Sequence, residues 1–137
     1  MKLNAITSVA IVVLALWMVL HLGGIAWTPV RLAGAVLAGV GMVLLLIARI
    51  QLGRSFAITA QARQLVTTGL YSRIRNPIYL SSAMFLAGVA VAAGHPMLLL
   101  LLLVLVPVQI MRARREEQVL AAAFGEEYER YKAQTWF

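Results

Sequence analysis

The chain has 137 residues, 62% hydrophobic and only 12% charged, with a net charge of +7 at pH 7 and no cysteine. That balance lies outside the range of soluble domains and points to an integral membrane protein, while the lack of thiols excludes disulfides, thiolate metal sites and cysteine nucleophiles. A bilayer crossing needs about 20 apolar residues, so the chain holds material for about four spans, no metal site is called for, and an active site has to be built from span ends and loops.

The first apolar run, residues 6–27, follows Lys2 as a signal peptide would, but its length and the absence of a small-residue cleavage pattern at "HLGG" predict a retained span. After the Gly- and Pro-containing turn "GGIAWTPVR" comes a second run, residues 32–50. Within it Gly34, Ala38 and Gly41 recur at helical spacing, which lets another helix approach closely. Packing between spans of one chain is preferred to a dimer seam, so a monomer is favoured.

Residues 54–77 form a long polar connection that ends in "GLYSRIRNPIYLSS". Gly69 allows a tight turn, and Pro77 suits the first turn of the third span, residues 78–94. Asn76 precedes that proline and is pushed out of helical geometry, the position of an N-cap. Tyr71 and Tyr79 fit an interfacial aromatic belt, and Arg73 and Arg75 fit phosphate contacts.

A short "GHP" turn leads to the fourth span, residues 97–113, in which Pro107 is expected to kink the helix. An amphipathic C-terminal helix over residues 114–132 is predicted to follow. All five acidic residues, Glu116, Glu117, Glu126, Glu127 and Glu129, lie in this tail. Arg112 and Glu116 are four apart and share a helical face.

With four spans, every basic residue except Arg31 falls on one side of the membrane. The positive-inside rule makes that side, with both termini, cytoplasmic. The net charge then reads as topology and attraction to lipid headgroups, with no nucleic acid as partner. The alanine- and leucine-rich style suggests a bacterial inner membrane protein.

Taken in order, Gly-x-Tyr, Arg-Asn-Pro-x-Tyr opening a span, Arg-x-x-x-Glu-Glu-x-x-Leu leaving the next and Phe-Gly-Glu-Glu-Tyr-x-x-Tyr-Lys resemble one family of enzymes. These motifs resemble the isoprenylcysteine carboxyl methyltransferases and their relatives among the phospholipid methyltransferases, over roughly Leu65 to Lys132. The resemblance implies an all-α membrane enzyme of one domain that transfers a methyl group from S-adenosyl-L-methionine (AdoMet) to a lipophilic acceptor, such as the carboxylate of a prenylcysteine-like molecule. It implies a cofactor pocket made by the loop before the third span and the helix after the fourth.

Carried over by motif, Leu65, Val66, Thr67, Gly69 and Tyr71 take the first cofactor stretch, with Arg63 and Gln64 just upstream. Asn76, Pro77, Ile78 and Tyr79 follow Arg75 in the second motif, and Glu116 and Glu117 supply the acids. Arg112, on the substrate side, and Arg75 are the catalytic candidates. Asn76 stands where the family has histidine; it can donate and accept hydrogen bonds but cannot carry a proton.

The chemistry is compatible with those roles. A glutamate can hold the cofactor's ammonium, the Leu65 to Tyr71 backbone its adenine, and Asn76 or Tyr79 its carboxylate. Direct displacement at a methyl group needs alignment more than acid or base chemistry. If the acceptor is a carboxylate, Arg112 can hold it bidentately. The alternatives are an NADPH-dependent reductase of the sterol reductase type, which shares the Arg-x-Pro-x-Tyr layout, and a non-enzymatic small four-span membrane protein.

Overall fold

The computed structural model describes residue 13, residues 26–56 and residues 65–136. The described part is helical: α1 (Pro29–Phe56), a 3₁₀ turn (Gly69–Ser72), α2 (Pro77–Ala93), α3 (Pro96–Phe124) and α4 (Glu126–Gln134). The first apolar run, expected as a span over residues 6–27, lies almost wholly outside the described residues.

Among the described residues two helices are long and apolar enough to cross a membrane, over Pro29–Gly53 and Met97–Phe124. α2 has 17 residues and covers about 25 Å, at the short end for a crossing. It packs chiefly on α1. Gly34 lies against the Ala92 and Gly88 backbone, Gly41 against Phe85 and Ser81, and Gly88 against Ala38 and Gly34. A β-carbon at any of these glycines would run into main chain, so the small residues set the closeness of the pair. The periodicity of Gly34, Ala38 and Gly41 therefore marks a seam within one chain. Ala38, Phe85 and Val89 are buried in it, with Met42 and Leu86 packed against them.

The outer faces are apolar as well. Val36, Val40, Val43 and Ile50 on α1, and Leu103, Val104, Val108 and Met111 on α3, are exposed. Aliphatic side chains on a helix exterior suit a lipid solvent, in which only backbone groups need internal partners.

Element ends differ from the sequence expectation, α1 already starting at Pro29 inside the turn expected before residue 32. α1 continues to Phe56, past the expected end near residue 50, and carries Gly53 inside the helix, with no proline in "ARIQLGRSF" to stop it. α3 runs unbroken through Pro107 and residue 113 to Phe124, so the fourth span and the first half of the expected tail helix form one rod. The break falls at Gly125, whose φ of +52° is a conformation glycine adopts without a side-chain clash.

Beyond that break α4 turns back onto the polar end of the bundle. Glu126, Glu127 and Glu129 occupy its first turn and Lys132 its last, a distribution that suits the helix dipole. Tyr128 and Tyr131 are its buried residues. The Tyr131 hydroxyl donates to the Tyr71 carbonyl at 2.7 Å, and the Trp136 amide donates to the Arg73 carbonyl at 3.0 Å. Ile74 and Trp136 form an isolated parallel bridge. The chain end is thereby clasped to the segment that precedes α2.

Candidate functional site

The site begins at Gly69. Its φ is +64°, and the carboxamide of Gln51 on α1 occupies the place a β-carbon would take. That carboxamide accepts the Leu70 amide at 3.0 Å, and the Ser72 hydroxyl donates to the Gly69 carbonyl at 2.7 Å. The Arg73 and Ile74 amides both return to the Leu70 carbonyl. The turn is thus anchored to α1 below and clasped by α4 above.

At Asn76 the chain leaves this turn with φ −121° and ψ 55°, outside the helical region that a following proline disfavours. Its carbonyl accepts the Tyr79 and Leu80 amides, so its position is that of an N-cap. Its side chain makes no capping bond. The carboxamide instead donates to Glu117 Oε1 on α3 at 3.1 Å. Pro77, fully buried, supplies the first helical residue.

Across from it, α3 presents a row of polar groups to the start of α2. The Tyr79 hydroxyl donates to Glu116 Oε1 at 2.6 Å, a short charge-assisted bond. Arg75 Nε lies 3.5 Å from Glu117 Oε1. The Arg112 guanidinium carbon sits 6.0 Å from the centre of the Tyr79 ring, at the outer limit of a cation–π contact. One helical turn deeper, Gln109 donates to the Ser82 hydroxyl at 3.0 Å, and Ser82 donates to the Tyr79 carbonyl at 2.9 Å. Gln109, Arg112 and Glu116 follow the i, i+3, i+7 pattern and so share one face of α3.

The tyrosines outside the apolar core are held neutral. Burial raises the Tyr71 hydroxyl well above the ordinary phenol value, and neighbouring Tyr131 and Glu116 add to the effect. Burial followed by Tyr128 pushes Tyr131 up to about 12. Burial and the Glu117 charge raise Tyr128, with Arg75 acting in the opposite sense. At neutral pH all three keep their proton and none is a base.

Of the residues singled out from the sequence, Arg75, Asn76, Tyr79, Arg112, Glu116 and Glu117 meet in one cluster at the junction of α2 and α3. Tyr71 is buried beside it, within the field of Glu116. Gly69 forms the anchored turn. Leu65, Val66 and Ile78 are half-buried, the first two in the segment leading to that turn. Arg63 and Gln64 lie outside the described residues.

Sequence reasoning missed Gln51, Ser82 and Gln109, and it noted Tyr128 and Tyr131 only as members of a motif, with no place at the site. Gln109 carried a readable signal, being the one polar residue inside "MLLLLLLVLVPVQIM". Gln51 carried none, since its importance depends on a turn far along the chain.

The phospholipid methyltransferase family model matches residues 30–127, which include the whole cluster on α2 and α3 and the Gln51 anchor. Searches of curated proteins and of solved structures return no match. With 98 of its 137 residues covered (127 − 30 + 1), and with the cluster inside that stretch, the chain belongs to the phospholipid methyltransferase family of membrane methyltransferases.

Proposed function

We propose that the protein transfers a methyl group from AdoMet to a lipophilic acceptor that arrives from the bilayer, at the cytoplasmic face of a bacterial inner membrane. The observation that carries this reading is the paired carboxylates of Glu116 and Glu117, each held by a neutral donor at the start of α2, Tyr79 within it and Asn76 just before it, where α3 leaves its apolar stretch. Paired anions at a polar boundary suit a ligand with an ammonium and a sulfonium. AdoMet, when bound, supplies an electrophilic methyl group.

The protein's own contribution is position. Tyr79 and Asn76 hold the two carboxylates in fixed orientations, so that little reorganisation is needed when a cation is bound. The Gly69 turn, tied down by Gln51, offers backbone groups of the Leu65 to Tyr71 stretch to an adenine. Arg112 stands one helical turn nearer the bilayer than Glu116, over the Tyr79 ring, where it meets the polar end of an acceptor whose chain remains in lipid. Aliphatic flanks on α1 and α3 exclude water from the lipid side of that meeting point.

In the proposed topology of four spans, with residues 6–27 as the first and both termini cytoplasmic, this cluster falls on the side that carries nearly all the basic residues. No observation favours a nicotinamide-dependent reductase or a non-enzymatic four-span protein.

Two measurements on one preparation test the reading: calorimetric titration with AdoMet, and methyl transfer from labelled AdoMet to a panel of lipids and lipophilic carboxylates, thiols and amines. Micromolar AdoMet binding with transfer to one acceptor class is expected. Arg112→Ala should abolish or strongly reduce transfer while leaving AdoMet affinity within a few-fold. Failure to bind AdoMet would reject the proposal, and near-normal transfer by the Arg112 variant would remove that residue from the acceptor side.

A further inference from the structure

Two buried side-chain atoms among the described residues have no hydrogen-bond partner, Arg75 Nε and Tyr128 Oη. Buried donors are nearly always paired, so each asks for an explanation. They belong to one neighbourhood. Arg75 pairs with Glu117 at 3.5 Å without a hydrogen bond from Nε, and Tyr128 lies within the fields of both Glu117 and Arg75.

Counting donors sharpens the point. The Asn76 carboxamide is already engaged by Glu117, and the Tyr79 hydroxyl by Glu116. The motifs offer those two side chains to the cofactor's carboxylate, yet both are occupied in holding acids. Arg75 Nε and the Tyr128 hydroxyl are the buried donors left without a hydrogen bond. A donor surplus next to two carboxylates is the complement of an α-amino acid, with an anion for the donors and a cation for the acids.

We propose that Arg75 and Tyr128 bind the α-carboxylate of the cofactor's amino-acid end, with Glu116 taking its ammonium. This rests on the AdoMet reading above and deepens it. The Arg75 side chain is 18% exposed and forms the accessible side of the subsite, while Tyr128, 2% exposed, lies behind it. A carboxylate that draws Arg75 away from Glu117 acquires the guanidinium first and the phenol with it. Tyr128 stands on α4, just past the stretch matched to the family, and α4 is fixed there by the Tyr131 and Trp136 contacts. The tail helix thus brings a ligand group as well as a clasp.

The test uses the full-length protein in detergent and compares AdoMet with decarboxylated AdoMet, which keeps the sulfonium, the adenosyl group and the amine but lacks the carboxylate. Tyr128→Phe removes one oxygen that has no protein partner, so the melting temperature should stay the same or rise. AdoMet affinity should fall about ten-fold, with that for the decarboxylated ligand within two-fold of wild type. Arg75→Gln should show the same selectivity with a larger loss. Equal losses for both ligands, or no loss for either, would overturn the subsite while leaving AdoMet binding by the unaltered protein in place. Absence of AdoMet binding by the unaltered protein would overturn the methyltransferase reading, and the subsite with it.

Discussion

Replacing Glu116 with glutamine changes one charge and almost no volume. Glu116 is exposed and accepts the Tyr79 hydroxyl at 2.6 Å. The substituted carboxamide retains an acceptor oxygen for that bond, so the junction of α2 and α3 should survive and thermal stability should move little. What disappears is the attraction for a bound ammonium. Two unit charges about 3 Å apart attract by ~1.4 kcal/mol at the dielectric of water and about 5 kcal/mol at an effective dielectric of 20. The exposure of Glu116 places it near the lower figure, which corresponds to a loss of about ten- to thirty-fold in affinity. Because AdoMet and its demethylated product share the ammonium, Glu116→Gln should weaken both by the same factor. Isothermal titration calorimetry of each ligand measures this directly. Glu126→Gln is the control, since Glu126 forms only an exposed pair with Arg130 at 3.6 Å, and it should leave both affinities unchanged. Unaltered binding in the Glu116 variant, or a loss confined to AdoMet, would refute the assignment of the ammonium to this carboxylate.

Gly88→Val should destabilise the protein by about 3 kcal/mol or more, because its β-carbon would meet the main chain of Ala38 and Gly34, whereas Gly39→Ala, which faces open space, should cost nothing; thermal unfolding in detergent compares them, and a tolerated Gly88→Val would contradict the α1–α2 seam. Tyr131 has its folded value raised to about 12 from an ordinary 10, so its contribution is fully present below pH 10 and is lost as pH rises from 10 towards 12. Protease sensitivity of the tail should increase over that window and less so in Tyr131→Phe. A single cysteine introduced at Gln61 into this cysteine-free chain should react with impermeant reagents only from the cytoplasmic side, and labelling from the opposite side would invert the proposed topology.

The cluster is legible in the sequence because its members sit in ordered motifs: Arg75, Asn76 and Tyr79 open one helix, and Arg112, Glu116 and Glu117 follow one another along another. Spacing also exposes the small-residue seam, since Gly34, Ala38 and Gly41 repeat with the helix. Contacts between distant segments are not legible. Nothing in "RIQLG" shows that Gln51 fills the space left by Gly69, and nothing in "EEYERYKAQ" shows that Tyr131 reaches the Tyr71 carbonyl. Asn76 is half legible. Pro77 fixes its backbone role, but the choice between capping its own helix and reaching Glu117 depends on where α3 lies. Helix ends depart from expectation where no proline follows to stop them, at residues 50 and 113, with Gly53 absorbed into α1 and the stop at Gly125 prevailing.

The unbroken run of α3 through residue 113 makes it a ruler with two fixed marks. Gln109, at the depth of Ser82, and Glu116, at the Tyr79 hydroxyl, are separated by about 10 Å of helical rise with no joint between them. The spacing between lipid-side and polar-side contacts is therefore a matter of register. Inserting one residue after Arg112 would swing Glu116 about 100° around the rod and away from Tyr79, while inserting four would restore its face but carry it about 6 Å farther out. On the proposed reading, variation in acceptor size is met by side chains along this edge, because the scale itself cannot stretch.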